Sequence, residues 1–276
     1  MQQRSGRFDG AGGVRIFWQA WLPDAAPRAV VGLAHGASEH SGRYAWTGEQ
    51  LAARGYALFA LDHRGHGNSD GPRAVIDRME NAVEDLGTLL ALAAREGGDG
   101  AKPFLLGHSM GGCIALAFAS RRQDEIRGLL LSAPVAVLET ASPLQRVAGH
   151  LLSIVAPRLG VFAIDSSTVS RDPEVVRDYD ADPLNYHGKL PARTVHELAE
   201  EVARFPAAIA SVSVPLLVQV GTGDRLVPAA ASELVYERAA SADKTIKRYE
   251  GLYHEILNEP ERGAVVADTL AWLDSH

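Results

Sequence analysis

Leu105-Leu106-Gly107-His108-Ser109-Met110-Gly111-Gly112 is the stretch on which the reading of this chain turns. It sets a G-x-S-x-G pentapeptide directly after the apolar run Pro103 to Leu106 and directly before the helical run Cys113 to Ser120. The strand-to-helix turn this implies is too sharp for large side chains, which accounts for glycine at 107 and 111, and it exposes the serine hydroxyl. Ser109 is therefore the candidate nucleophile. The plainer role of a helix N-cap serine does not explain the small residues on both sides.

Working outward, the continuous apolar runs Ala29 to Ala34, Tyr56 to Leu61 and Ile126 to Leu131 predict further buried strands. Met79, Ala82, Val83, Leu86, Leu89, Leu90 and Ala93 recur at helical spacing until Gly97-Gly98 ends the pattern. Near the N-terminus, period-2 alternation over Val14 to Trp21 follows the turn Gly10 to Gly13 and suggests an opening hairpin. After Ser132-Ala133-Pro134 the pattern changes for about seventy residues to proline-rich helical and loop segments, and the buried-strand signature resumes at Pro215 to Val220. A helix around Ala229 to Ala240, a strand at Thr245 to Tyr249 and a last helix from Pro260 to Leu273 follow. These alternations predict an α/β fold with a mostly parallel sheet flanked by helices. Residues 1–133 and 213–276 form its core, and residues 134–212 an inserted helical cap.

The chain has 276 residues, 46% of them hydrophobic, enough for one large core. Its formal charge of -7 offers no basic face to a phosphate backbone and argues against nucleic acid as a partner. Met1 to Gly10 lacks the apolar core of a secretory signal. The uncharged run Phe205 to Gly223 is broken by Pro206 and Pro215, and reads as a connector and a strand in place of a membrane span. The expectation is a protein that stays in the cell, cytoplasmic or peripherally attached to a membrane. The one cysteine, Cys113, excludes an internal disulfide or a Cys-based metal cluster. No feature specifies an oligomeric state.

A serine hydroxyl needs a base to take its proton and an acid to orient that base, and on such a scaffold both follow the serine, acid first. Asp224, in Gly221-Thr222-Gly223-Asp224-Arg225, lies just past a predicted strand, where its side chain reaches the rim of the site. A turn-forming aspartate after glycine is the plainer alternative. His254, in Leu252-Tyr253-His254-Glu255, follows the next strand. Of the other nine histidines, five precede or abut the nucleophile, three lie in the insertion and His276 is terminal, so only His254 fits the order. The developing oxyanion needs two backbone amides: that of Met110, after the nucleophile, and that of Ala37, in the turn His35-Gly36-Ala37-Ser38.

Four segments closely resemble monoglyceride lipases: His35 to Tyr44, Asp62 to Arg73, the serine turn, and Gly223-Asp224-Arg225-Leu226-Val227. The match spans nearly the whole chain, and Ile164-Asp165-Ser166-Ser167 and Asp182-Pro183-Leu184 look like the family's cap segments. The resemblance implies the α/β-hydrolase fold and cleavage of monoacylglycerol to glycerol and fatty acid. It also implies no metal or organic cofactor, and a mobile cap or lid that binds the acyl chain. The family's triad and oxyanion roles fall on Ser109, Asp224, His254, Ala37 and Met110. Glu39 and His40 look like its polar wall near the glycerol site, unless they form a hydrogen-bonded pair bracing the loop. Ser38 departs from the family, which commonly has glycine there. Lysophospholipases share the resemblance, so a lysophospholipase or broad carboxylesterase is the alternative. A ligand-binding homologue that keeps the triad without turnover is the alternative from another class.

Within the cap, Ser142-Pro143 opens a helix whose Leu144, Val147, Ala148, Leu151, Leu152 and Val155 form an apolar stripe, with Arg146 its only formal charge. Either the stripe packs on the core or it lines an acyl tunnel and touches lipid. On the second reading Leu144 and Leu151 join Ile164, from the apolar stretch Leu159 to Ile164, as acyl-binding candidates, and the cap makes a peripheral contact with a membrane or micelle.

Overall fold

The structure, a computed structural model, describes residues 1–96, 100–138 and 142–276; the helix end expected at Gly97-Gly98 lies outside them. The first part of the chain forms β1 (Gln2–Asp9), β2 (Arg15–Leu22), β3 (Ala29–Ala34), α1 (Ala45–Ala53), β4 (Tyr56–Leu61), α2 (Met79–Glu96), β5 (Phe104–His108), α3 (Met110–Arg122) and β6 (Gly128–Ser132). Then come α4 (Pro143–Val155), β7 (Gly160–Phe162), α5 (Pro173–Ala181), β8 (Leu190–Pro191) and α6 (Ala192–Ala208). The chain closes with β9 (Leu216–Gly221), α7 (Ala229–Arg238), β10 (Lys244–Tyr249) and α8 (Arg262–Ser275).

Eight strands make one sheet in the order β1-β2-β4-β3-β5-β6-β9-β10. Among the described residues of this sheet only the β1–β2 and β2–β4 pairings are antiparallel. This is the α/β-hydrolase fold. β9 lies directly beside β6, with Leu130 opposite Leu217, so everything from α4 to α6 is inserted between two neighbouring strands.

Alternation along the central strands loads both faces of the sheet. Ala57, Phe59 and Leu61 of β4 and Leu105 of β5 join the core beneath α2, α3 and α7. Tyr56, Leu58 and Ala60 of β4 and Phe104 and Leu106 of β5 face the core shared with α1 and α8. Burial on both sides is why these strands read as unbroken apolar runs.

The serine turn sits at the carboxyl end of β5, and its two glycines are sterically required. A Cβ on Gly111 would lie 2.1 Å from the Ala34 carbonyl oxygen, and one on Gly107 would lie 2.6 Å from the Gly111 oxygen.

The expected opening hairpin forms, with β1 antiparallel to β2 across the turn at Gly10 to Gly13; β1 is mostly exposed and polar, so this pairing, not a buried face, makes it. α1, absent from the sequence-based elements, crosses close over Trp21, where a Cβ on Gly48 would lie 2.5 Å from the ring. One segment differs from the expectation: Phe205 to Ala208 is not connector but the end of α6, with Pro206 inside the helix. Phe205 is fully buried in the core beneath α3, and that packing outweighs the backbone donor that proline removes.

Candidate active site

Ser109 adopts φ 54°, ψ −118°, a left-handed conformation that side-chain-bearing residues occupy only when the surroundings enforce it. The enforcement is local: its amide donates to the Ser132 carbonyl at 3.0 Å, and its carbonyl accepts from Cys113 and Val135, each at 3.1 Å. The hydroxyl is thereby fixed above the end of β5.

His254 Nε2 lies 2.8 Å from Ser109 Oγ and its Nδ1 lies 2.7 Å from Asp224 Oδ2. Because an ionised carboxylate only accepts, Nδ1 carries the proton and Nε2 accepts from the serine. Asp224 Oδ1 accepts from the amides of Leu226 at 2.8 Å and Val227 at 3.0 Å, which locks the carboxylate, and its side chain is fully buried. The loop carrying Asp224 is pressed against the loop carrying His254: a Cβ on Gly221 would lie 2.2 Å from the Leu252 oxygen, and one on Gly223 2.6 Å from the Gly251 oxygen. The G-x-G-D pattern is thus a packing requirement as well as a turn. The insertion also braces the histidine loop, since the Glu255 amide donates to Val169 O at 2.8 Å.

Ser109 and His254 open into a cavity of about 940 Å³, which Asp224, Ala37 and Met110 also line. Among the described residues neither the Ala37 nor the Met110 amide donates to a protein acceptor. Two free donors beside a fixed hydroxyl suit an oxyanion. The walls are largely apolar, from Leu138, Phe162, Ile164, Leu190, Leu198 and Leu226, with Glu39, Tyr179, Arg225 and Glu255 as polar exceptions. His108, whose ring centroid is 4.8 Å from that of His254, is held down to about 3 by burial and by His254, and stays neutral.

Glu39 lines the cavity but is already engaged. Its Oε1 accepts from the Gly36 amide at 2.5 Å and Tyr44 OH at 2.7 Å, and its Oε2 from Arg43 at 3.1 Å. His40 lies away from the cavity wall; its Nε2 meets Asp182 of the insertion at 2.8 Å and its Nδ1 accepts from the Gly42 amide. Both residues brace the loop, though through other partners and not through each other. Burial and the nearby Glu255 raise the Glu39 carboxyl above its ordinary range. Burial would raise Glu255 too, but the charge and hydrogen bonds of Arg43 bring it below its ordinary range.

Of the acyl-binding candidates, Ile164 lines the cavity. Leu144 and Leu151 do not: they are 79% and 56% exposed, because α4 rests on α6 and turns its apolar stripe outward. Tyr179, Phe162, Leu190 and Leu198, absent from the sequence-based candidates, take their place in the wall. Phe162 lies in the apolar stretch already noted, whereas Tyr179 sits in a charged helix that gives no signal. Among the described residues no group of three or more His, Cys, Asp or Glu side chains converges to hold a metal ion.

Sheet order, the forced serine turn and the residues that meet there define the class, an α/β-hydrolase of the serine-hydrolase type. The family model described as serine aminopeptidase, S33, matches residues 25–261. The chain is 44% identical to a monoacylglycerol lipase of Mycolicibacterium smegmatis, over 98% of this chain and 96% of that one. It is 36% identical to a monoglyceride lipase of Homo sapiens, over 90% and 82%. A crystal structure of Paleococcus ferrophilus monoacylglycerol lipase superimposes with a TM-score of 0.82 at 30% identity, covering all of both chains. The chain belongs to the monoglyceride lipase family.

Proposed function

We propose that this protein is a carboxylic ester hydrolase that cleaves monoacylglycerol to glycerol and fatty acid through an acyl-enzyme on Ser109. The observation that carries it is the line Ser109, His254, Asp224, with contacts of 2.8 and 2.7 Å, opening into a mostly apolar cavity. His254 Nε2 takes the Ser109 proton as Oγ attacks the ester carbonyl. The Ala37 and Met110 amides hold the oxyanion, and the protonated His254 returns its proton to the departing glycerol oxygen. Water then enters, loses a proton to His254 and attacks the acyl carbon, releasing fatty acid and restoring Ser109. Asp224 holds the imidazole tautomer throughout.

The apolar walls suit an acyl chain, and the cavity's size falls within the range of ligand pockets, roughly 300–1,000 Å³. On this reading residues 134–212 form the cap over the site, with residues 1–133 and 213–276 as its base. Stoichiometric reaction of an organophosphonate with the wild type, lost in Ser109→Ala, is expected. A wild type that stays unlabelled while folded would turn the reading to a ligand-binding homologue.

The same family gives the protein a lipid substrate, and the finer proposal is a peripheral contact with the surface that holds it. No helix among the described residues is long and apolar enough to cross a membrane. Leu144, Val147, Leu151, Ile154 and Val155 of α4 are all more than half exposed. Phe162 of the inserted segment is also half exposed, and it lines the cavity. Such a face is what an interface-seeking helix presents. Ile154→Glu/Val155→Glu should lower co-sedimentation with phosphatidylcholine vesicles and leave hydrolysis of soluble p-nitrophenyl butyrate unchanged; undiminished vesicle binding would sink the contact.

A further inference from the structure

The loop that carries Ala37, the loop that carries His254 and the inserted α5 meet on one side chain, that of Arg43. Its guanidinium grips Glu255 with two parallel bonds, Nη1 to Oε1 at 2.5 Å and Nη2 to Oε2 at 2.7 Å. Nη1 also donates to Glu39 Oε2 at 3.1 Å. The other oxygen of Glu39 accepts from the Gly36 amide, one residue before Ala37. Glu255 directly follows His254 in the chain. The planar face of the guanidinium lies over Tyr179 of α5, with its carbon 4.8 Å from the ring centroid, and the Tyr179 hydroxyl points to Ser38 O at 3.4 Å.

We propose that Arg43 is a positioning residue for the Ser109 chemistry: it ties the oxyanion loop to the histidine loop, so that the Ala37 amide and the His254 ring address the same tetrahedral centre. The proposal rests on the triad reading above. Arg43 itself sits in the short 3-10 turn Ser41–Tyr44, whereas the backbone from Gly36 to Glu39 and from Leu252 to Glu255 belongs to no helix or strand. A bidentate arginine–carboxylate pair fixes distance and rotation together, and a lysine cannot reproduce it from a single ammonium. Arg43, Glu39 and Glu255 are each at least nine-tenths buried by side chain, so water does not substitute for the contact. The two carboxylates would repel without the cation between them, and loop separation follows directly from its loss.

The test uses the full chain with p-nitrophenyl butyrate as substrate, and compares Arg43→Lys, Glu255→Gln and the double variant with wild type and Ser109→Ala. Unfolding midpoints are measured alongside. Since misplacing a reacting group by about 1 Å costs on the order of a hundredfold, Arg43→Lys should lose about thirtyfold in kcat and Glu255→Gln about tenfold, with KM within about threefold. The double variant should lose no more than Arg43→Lys, because both break one clamp. Folded variants with wild-type kcat, or a loss that only tracks the unfolded fraction, would overturn the proposal. Should Arg43→Lys not fold, the near-isosteric Glu255→Gln decides by the same criterion. A wild type without Ser109-dependent hydrolysis would overturn the triad reading and the clamp with it, whereas an active wild type with unaffected variants overturns the clamp alone.

Discussion

Asp224→Asn should lower kcat by about 10⁴-fold while leaving the folded protein intact. The new amide keeps an oxygen that can accept from Leu226 and Val227, as Oδ1 does now at 2.8 and 3.0 Å, so the loop has no reason to move. The other end of the side chain becomes an NH2 donor facing His254 Nδ1. That nitrogen must then accept, and the ring proton moves to Nε2, the atom 2.8 Å from Ser109 Oγ. A protonated Nε2 cannot take the serine proton, and the base is lost without any change of shape. Steady-state kinetics on a soluble ester, with circular dichroism to show an unaltered fold, reads the effect. A variant within tenfold of wild type would mean that Asp224 is a turn residue only.

Acid is the second large lever. Burial above all, then the neighbouring His63 and His66, depress His35 well below the ordinary histidine value of 6.5. Burial and His66 take His63 down to about 3, burial chiefly brings His66 down to about 4, and His108 is at about 3. Among the described residues neither His63 ring nitrogen nor His66 Nε2 has a hydrogen-bond partner, so no acceptor is in place at these atoms to stabilise a protonated ring. For a group whose pKa is depressed on folding, the stabilisation is complete above the unfolded value and declines as pH falls through the window below it. At pH 5 each such histidine costs about 2 kcal/mol, so His63, His66 and His108 together cost roughly 6 kcal/mol. That is comparable to the whole stability of many domains, about 5–15 kcal/mol. The raised carboxyl of Glu39 works in the opposite direction, as one group against four. Denaturant midpoints should be flat from pH 8 to 7 and fall steeply between pH 6.5 and 5. Constant or rising midpoints across that lower window would show that these rings are not held neutral.

How much of this was legible in the sequence depends on distance along the chain. Gly107 to Gly111 is contiguous, and the clash of a Cβ with Ala34 O makes its pattern nearly unique to one geometry, so the turn and the sheet around it could be read directly. Asp224 and His254 were reachable because chain order on this scaffold is restrictive, and the structure brings both to Ser109. The partners of the 36–44 loop were not reachable. His40 meets Asp182, 142 residues away, and Arg43 meets Glu255, 212 residues away, and no local pattern encodes such pairs. The stripe on α4 shows a third limit: periodicity says which face of a helix is apolar, but not whether that face looks inward or out. Leu144 and Leu151 fall on the outward side for that reason.

The most direct measurement is release of glycerol and oleate from 1-oleoylglycerol, run beside oleoyl-lysophosphatidylcholine and p-nitrophenyl butyrate, with Ser109→Ala as control. A strong preference for monoacylglycerol, abolished in the variant, is the result expected here. Ser109-dependent cleavage of the butyrate ester with little turnover of either lipid would leave the nucleophile standing and contradict the monoacylglycerol assignment.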